Sequence, residues 1–116
     1  MLDLDHIAIT VKDLEKTISF YEKIGYELLE RFSDDGYNWV TLKLNNHSLE
    51  LFQITNNKEK PINHIAYSYD SDEEVLVLIK QLGYRKEDID IFYGDLNRKS
   101  FFIEDNNGKS IQLIKK

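Results

Sequence analysis

Residues 4–11, LDHIAITV, and residues 62–69, INHIAYSY, carry the same pattern twice. In both stretches an Asp or Asn precedes His-Ile-Ala, inside an alternation of residue types that is typical of a β-strand. His6 and His64 are 58 residues apart, which is half of the 116-residue chain. The same offset relates the two Gly-Tyr pairs, Gly25-Tyr26 and Gly83-Tyr84. A repeat in this register predicts two copies of one structural unit, in which His6 and His64 are equivalent.

The pattern predicts that each copy folds as a strand, a helix and three further strands. In the first copy Asp13 is suited to begin the helix, because its carboxylate can accept a hydrogen bond from a free amide of the first turn. Gly25 then ends the helix, and Asp35-Gly36 indicates a hairpin turn. The strands predicted for this copy cover residues 4–11, 27–33, 37–44 and 47–54.

The second copy follows the same plan after a polar linker that contains Pro61. Ser71 and Glu74 indicate the capping box of a helix that ends at Gly83. The predicted strands cover residues 62–69, 89–93, 99–104 and 109–115. We expect one domain over residues 1–116, with module 1 at 1–55, a linker at 56–61 and module 2 at 62–116. The predicted fold class is α+β, in which two βαβββ modules in tandem form a curved, mostly antiparallel sheet with the helices on its convex face.

The composition is that of a globular protein and argues against several functions. Hydrophobic residues make up 41% of the chain and charged residues 31%, and the formal net charge is −6. The acidic balance and the scattered basic residues argue against a nucleic-acid partner. No apolar run reaches the ~18 residues of a membrane span. The absence of cysteine and of a secretion signal predicts a cytoplasmic protein without disulfides or thiolate metal ligands.

The alternation in the first strand of each copy points the histidines away from the helices. Ile7, Ile9 and Val11 form the aliphatic face that must pack on a helix, so His6 points to the opposite, concave face. His64 does the same in the second copy, and each histidine is followed two residues later by an alanine that leaves room for a ligand. A lone histidine in a strand is usually a core or surface residue, but two at equivalent positions favour a functional site.

The last strand of each copy adds an oxygen ligand. Glu50 and Gln112 each lie between two aliphatic residues that face a helix, so both point into the concavity. A carboxylate in apolar surroundings is unfavourable unless it is paired or coordinates a metal. His6, Glu50, His64 and Gln112 therefore predict a site for one divalent transition metal, Ni, Co, Zn, Mn or Fe. The alternative is that the site holds no metal and that Glu50 forms a hydrogen bond with one of the two histidines.

Three stretches give the whole chain a resemblance to the vicinal oxygen chelate superfamily, which includes glyoxalase I, methylmalonyl-CoA epimerase, extradiol dioxygenases and bleomycin-resistance proteins. They are DHIAITVKDLEKTISFYEKIGY at residues 5–26, NHIAYSYD at 63–70 and EDNNGKSIQLI at 104–114. The resemblance implies paired βαβββ modules with metal ligands on the first and last strand of each. Those positions are His6, Glu50, His64 and Gln112.

Two positions depart from the family pattern. Asn106 stands where the family usually has a proline, and Gln112 stands where it usually has a glutamate. In glyoxalase I and the epimerase that glutamate is also implicated in proton transfer, and a glutamine amide cannot accept a proton at neutral pH. The set is similar to that of the epimerase with Gln and Glu exchanged between the halves, which makes Glu50 the candidate base.

The resemblance implies a metal-dependent lyase or isomerase of the glyoxalase I (lactoylglutathione lyase) type. The substrate would chelate the metal through two adjacent oxygens, and the metal would stabilise the enediolate formed when Glu50 removes a proton α to a carbonyl. A thiol cofactor is implied by the family alone, with glutathione and CoA both open. Thr10, Trp39, Phe52 and Phe101 are candidates to line the substrate pocket, and a place in the core is the simpler interpretation of each.

The main alternative is a metal-free small-molecule binding protein of the bleomycin-resistance type. The net charge of −6 and the aromatic content of 12% suit a cationic ligand, but such a protein has no need of His6, Glu50 and His64. A thiol transferase of the fosfomycin-resistance type fits less well, because its last-strand carboxylate is missing. Two short modules also leave open sheet edges, which predicts a homodimer.

Overall fold

The computed structural model describes residues 2–94 and 97–116, and in these residues it shows eight strands and two α-helices. The elements are β1 (Asp3–Thr10), α1 (Leu14–Ile24), β2 (Glu27–Asp34), β3 (Tyr37–Leu44), β4 (His47–Ile54), β5 (His64–Tyr69), α2 (Asp72–Gln81), β6 (Asp90–Tyr93), β7 (Lys99–Glu104) and β8 (Ser110–Lys115). A short 3₁₀-helix, Lys86–Asp88, precedes β6. The predicted α+β class with two βαβββ modules in tandem is confirmed. None of the helices in the described residues is long and apolar enough to cross a membrane.

The chain forms two compact units. The N-terminal unit covers His6–Asn63, where the strand order is β2-β3-β4-β1 and β1 runs parallel to β4. The C-terminal unit covers His64–Lys116 together with the residues up to Asp5, and its strand order is β5-β8-β7-β6 with β5 parallel to β8. The remaining strand pairs within the units are antiparallel, so most of the pairing is antiparallel.

In the N-terminal unit α1 is fixed by residues at both of its ends. Asp13 Oδ1 accepts a hydrogen bond from the Lys16 amide at 3.1 Å, and Gln53 Oε1 on β4 accepts one from the Leu14 amide at 2.7 Å. Gly25 ends the helix with a φ of +124°, which a residue with a Cβ rarely adopts. The helix packs on one face of the sheet, and the buried core there consists of Leu14, Ile18, Val40, Leu42, Leu49 and Leu51.

The C-terminal unit has a corresponding core beneath α2. Ser71 Oγ accepts a hydrogen bond from the Glu74 amide at 3.3 Å, so Ser71 caps the helix as the sequence predicts. The buried residues of this core are Tyr69, Val75, Ile79, Phe101, Ile103 and Leu113. In both units the helix covers one face of the sheet, and the histidine of the first strand lies on the other face.

An ion-pair network at the start of α2 predicts a loss of stability in acid. Asp72 accepts hydrogen bonds from Lys99 Nζ at 2.8 Å and from the Tyr69 hydroxyl at 3.0 Å. The hydrogen bond from Lys99 is the largest of the effects that hold the pKa of Asp72 below its ordinary value. Because the folded-state pKa is depressed, the stabilisation is present above the unfolded-state pKa of about 3.9 and is lost as the pH falls through the folded-state pKa.

Urea denaturation of the wild type and Asp72→Asn, at about pH 7 and again near pH 2.5, measures this contribution. The variant should be less stable than the wild type at neutral pH, and the difference should shrink in acid, where Asp72 becomes protonated. An equal difference at both pH values would show that the charge of Asp72 contributes nothing.

Candidate functional site

The N-terminal unit brings His6 and Glu50 together on the face of its sheet away from α1. β1 and β4 are paired with Ala8 opposite Glu50, and the neighbours of Glu50, Leu49 and Leu51, face the core under α1. His6 Nε2 lies 3.4 Å from Glu50 Oε1. The two side chains are only 9% and 20% exposed, respectively, so water competes weakly for either polar group.

The geometry of this pair fits a transition metal. Two ligand atoms that each bind one ion at about 2.1 Å lie roughly 3 to 3.5 Å apart, and the separation of His6 Nε2 from Glu50 Oε1 is 3.4 Å. An imidazole nitrogen with a carboxylate oxygen suits Zn, Ni, Co, Mn and Fe. The same two groups can also form an ion pair without a metal when the imidazole is protonated.

The C-terminal unit places His64 and Gln112 in the corresponding positions of β5 and β8. Ala66 is paired with Gln112, which repeats the pairing of the N-terminal unit. Gln112 is 8% exposed, and its Nε2 donates a hydrogen bond to Ser100 Oγ at 2.9 Å. This bond turns the amide nitrogen toward Ser100, so Oε1 is the atom of the side chain that could bind a metal. The His64 ring meets Phe102 edge-on, with 5.9 Å between the ring centroids.

Three of the four residues predicted to line a pocket share the face of Glu50. Trp39 on β3 is paired with Phe52 on β4, two residues along the strand from Glu50. Thr10 lies on the same face, but its hydroxyl donates to the Ile62 carbonyl at 2.8 Å and accepts from the Ile62 amide at 2.7 Å. Thr10 therefore fixes the linker to β1.

Phe101 does not lie on the face of Gln112, which corrects the prediction made from the sequence. It is 2% exposed and packs with Tyr69 and Leu113 in the core beneath α2. Its neighbour Phe102 is the residue paired with Gln112. β7 has two adjacent phenylalanines, which point to opposite faces. Phe101 shares its face with Ile103 and enters the core, whereas Phe102 shares its face with Ser100 and Glu104.

Sequence reasoning also missed Phe32, whose ring stacks on Trp39 with 3.9 Å between the centroids. The register of β2 shifts between Leu28 and Glu30, so the alternation of this strand is interrupted. The hairpin turn at Asp35-Gly36 was the signal that could have found it. Counting outward from that turn pairs Phe32 with Trp39, as the structure does.

Comparisons with known proteins agree with this fold. The family model of the Glyoxalase/Bleomycin resistance protein/Dioxygenase superfamily matches residues 3–113. Curated proteins give no match. Among solved structures, a hypothetical protein from Bacillus halodurans is 20% identical with a TM-score of 0.77, and the match covers 99% of this chain and 94% of that one.

Two further solved structures are methylmalonyl-CoA epimerases. A variant of the Streptomyces coelicolor enzyme, in complex with 2-nitronate-propionyl-CoA, is 21% identical with a TM-score of 0.73, and the match covers 97% of this chain and 93% of that one. The Mycobacterium tuberculosis enzyme is 21% identical with a TM-score of 0.69, over 97% of this chain and 86% of its own. At these identities the likeness shows the fold. Because the family model spans nearly the whole chain, the protein belongs to the Glyoxalase/Bleomycin resistance protein/Dioxygenase superfamily.

Proposed function

We propose that this protein removes a proton from the carbon next to a carbonyl group, as glyoxalase I-like lyases and isomerases do. Its small-molecule substrate would bind a divalent metal through two adjacent oxygens. The observation that carries the proposal is the His6–Glu50 pair, in which an imidazole nitrogen and a carboxylate oxygen lie 3.4 Å apart and largely shielded from water. A carboxylate in such a place can hold a metal and can accept a proton, which are the two requirements of this chemistry.

The proposed metal ligands are His6 and Glu50, together with His64 and Gln112. The last two are included because the parallel pairing of Ala8 with Glu50 recurs between Ala66 and Gln112. When bound, an ion of Ni, Co, Zn, Mn or Fe would supply positive charge that stabilises the negative charge developing on the substrate oxygens. Gln112 would add a neutral oxygen, since its amide nitrogen already donates to Ser100.

Glu50 is the proposed base because it is the one carboxylate among these four residues. Its Oε1 faces His6, so the second oxygen would take the proton. As the carbon–hydrogen bond breaks, its electron pair moves toward the carbonyl oxygen and the proton passes to the Glu50 carboxylate. Return of the proton from Glu50 to the neighbouring carbon completes an isomerisation.

Thioesters and hemithioacetals are the substrate class we propose. A 2-substituted thioester and the hemithioacetal of a 2-oxoaldehyde both carry a proton next to an intact carbonyl, which acidifies it, and a carboxylate base can remove that proton when the negative charge is stabilised. The epimerase of similar structure binds a CoA derivative, which supports a substrate that is attached to a thiol cofactor through sulfur. Glutathione and CoA are the two thiols to compare.

Turnover by the metal-loaded protein tests this proposal against a metal-free protein of the bleomycin-resistance type. The protein is stripped of metal, reloaded with Ni, Co or Zn, and assayed with the glutathione hemithioacetal of methylglyoxal and with a 2-substituted acyl-CoA. Metal-dependent turnover of either compound is the expected result. Tight binding of a cationic drug by the stripped protein, with no turnover in any metal-loaded form, would favour the binding protein instead.

We also propose that the protein forms a homodimer through β6. In the described residues β6 pairs with β7 alone, and its Ile91, Phe92 and Tyr93 are 55%, 57% and 59% exposed. An edge strand with three exposed large apolar residues is usually covered, and a second copy of the chain presents the same edge for a twofold pairing.

Sedimentation at micromolar concentration should give twice the chain mass of 13.7 kDa for the wild type. Phe92→Lys should shift the protein to a monomer, because it places a charge in the apolar interface. Phe20→Lys changes an equally exposed residue on α1, 60% exposed, and should leave the dimer intact. A monomeric wild type would refute the proposal.

A further inference from the structure

Three aromatic rings form a continuous stack across the sheet of the N-terminal unit. We refer to Phe32, Trp39 and Phe52 as the aromatic stack. The centroids of Phe32 and Trp39 are 3.9 Å apart with planes at 14°, and those of Trp39 and Phe52 are 5.1 Å apart with planes at 13°. Phe52 is buried, whereas Phe32 and Trp39 are half-buried and keep part of their rings accessible.

The stack lies directly beside the proposed base. Phe52 is two residues after Glu50 on β4, and Trp39 is paired with Phe52 as Thr41 is paired with Glu50. Side chains two residues apart on a strand share a face and are about 7 Å apart. One edge of each ring therefore borders the row that contains Glu50 and Thr41.

The opposite edge of the stack is closed by Tyr37 and the linker. Tyr37 meets Phe52 edge-on, with 6.1 Å between centroids and planes at 87°. Its hydroxyl donates to the Lys60 carbonyl at 2.7 Å, and Thr55 donates from its amide to the Gly36 carbonyl at 2.9 Å. Rings held in this way have little freedom to move, so a ligand that contacts them loses little free energy to ordering the protein.

The fold itself does not require the stack. Paired residues of neighbouring strands form a row across each sheet, and the row that contains the stack is Thr10, Phe52, Trp39 and Phe32. The corresponding row of the C-terminal unit, in the same order, is Ser68, Ile114, Ser100 and Phe92. This row consists of two serines, an isoleucine and one phenylalanine, Phe92, so it supports the same strands without three neighbouring aromatic rings. Among the described residues, the corresponding row of the C-terminal unit has no such stack, and the rings of the N-terminal unit lie where a substrate held at Glu50 would touch them.

We infer that the substrate carries an aryl or similarly flat apolar group next to the carbon that gives up its proton, and that the aromatic stack binds this group. The inference rests on the proposed function, because it places the reacting carbon at Glu50. Aromatic rings give their strongest contacts to other rings, by offset or edge-on packing. A small substituent such as a methyl group would leave the accessible parts of Phe32 and Trp39 in contact with water.

Two hydroxamates test this inference on the metal-loaded wild type. Benzohydroxamate and acetohydroxamate present the same two adjacent oxygens to a metal, and they differ in carrying a phenyl ring or a methyl group. Calorimetry should show benzohydroxamate binding more tightly by about tenfold or more, which is the range expected for one or two aromatic contacts with burial of a ring. Emission of Trp39, the one tryptophan of the chain, should change more with benzohydroxamate.

Trp39→Leu and Phe32→Leu should each reduce the preference for benzohydroxamate to about threefold or less and leave the affinity for acetohydroxamate nearly unchanged. Phe20→Leu, which replaces an exposed ring on α1, should keep the full preference. Equal binding of the two hydroxamates by the wild type would overturn the inference and leave the proposed function standing. Failure of the wild type to bind either of them would overturn both.

Discussion

Glu50→Gln should lower turnover by the metal-loaded protein by ~10²–10⁴-fold, the usual cost of removing a general base. The substitution keeps the size of the side chain and an oxygen that can face His6, so the sheet pairing around it should be preserved. It removes the one carboxylate among the four proposed ligands, and the amide that replaces it cannot accept a proton at neutral pH. The loss should appear in kcat, because the proton is transferred in the transition state.

Gln112→Glu is the matched variant for this prediction. It places a carboxylate at the corresponding position of β8, where Gln112 is paired with Ala66 as Glu50 is with Ala8. Activity should be kept or increased, since a second base and a charged ligand are added. If Glu50→Gln turned over as fast as the wild type, Glu50 would not be the base, and a binding protein would become the better account of the site.

His6→Ala should weaken metal binding by more than about 100-fold, since it removes a direct ligand, and loss of even a supporting residue around a metal costs 10- to 100-fold. His6 is 7% exposed, with Nε2 facing Glu50 Oε1 at 3.4 Å, so water is poorly placed to replace the imidazole. Calorimetric titration of the stripped protein with Co²⁺ or Ni²⁺ measures this change in metal affinity. The double variant with His64→Ala should show no binding.

His47→Ala provides the control for this experiment. His47 is exposed at the start of β4 and is paired with Leu44, away from Glu50. Its removal should leave the affinity for metal unchanged, which separates loss of a ligand from a general effect of deleting a histidine. Metal binding by the double variant as tight as that of the wild type would refute the proposed ligand set.

Much of the fold follows from patterns that are local in the chain. The alternation in LDHIAITV determines that His6 and the aliphatic residues face opposite sides of β1, and the cores under the helices agree with it. Asp13 and Ser71 mark helix starts because their side chains can reach free amides within one turn. The repeat at an offset of 58 residues then predicts that the second half has the same order of strands and helix as the first.

Two of the features that sequence reasoning missed depend on contacts between distant residues. The burial of Phe101 does not, because the alternation of β7 places Phe101 on the face of Ile103 and Phe102 on the face of Ser100 and Glu104. The hydroxyl of Thr10 is engaged by Ile62, 52 residues later, so a residue on the face of Glu50 holds the linker. Phe32 is hidden by the irregular register of β2, where alternation fails.

Loss of the substrate α-proton tests the central claim most directly. Proton NMR in D₂O follows that signal in a hemithioacetal or a 2-substituted acyl-CoA, and its loss reports abstraction whether deuterium replaces the proton or Glu50 passes it to the neighbouring carbon. The metal-loaded wild type should remove the α-proton of at least one compound, while the stripped protein and metal-loaded Glu50→Gln should not. A wild type that holds its metal and leaves the α-proton of both compounds in place would contradict the claim that Glu50 serves as a base at a metal site.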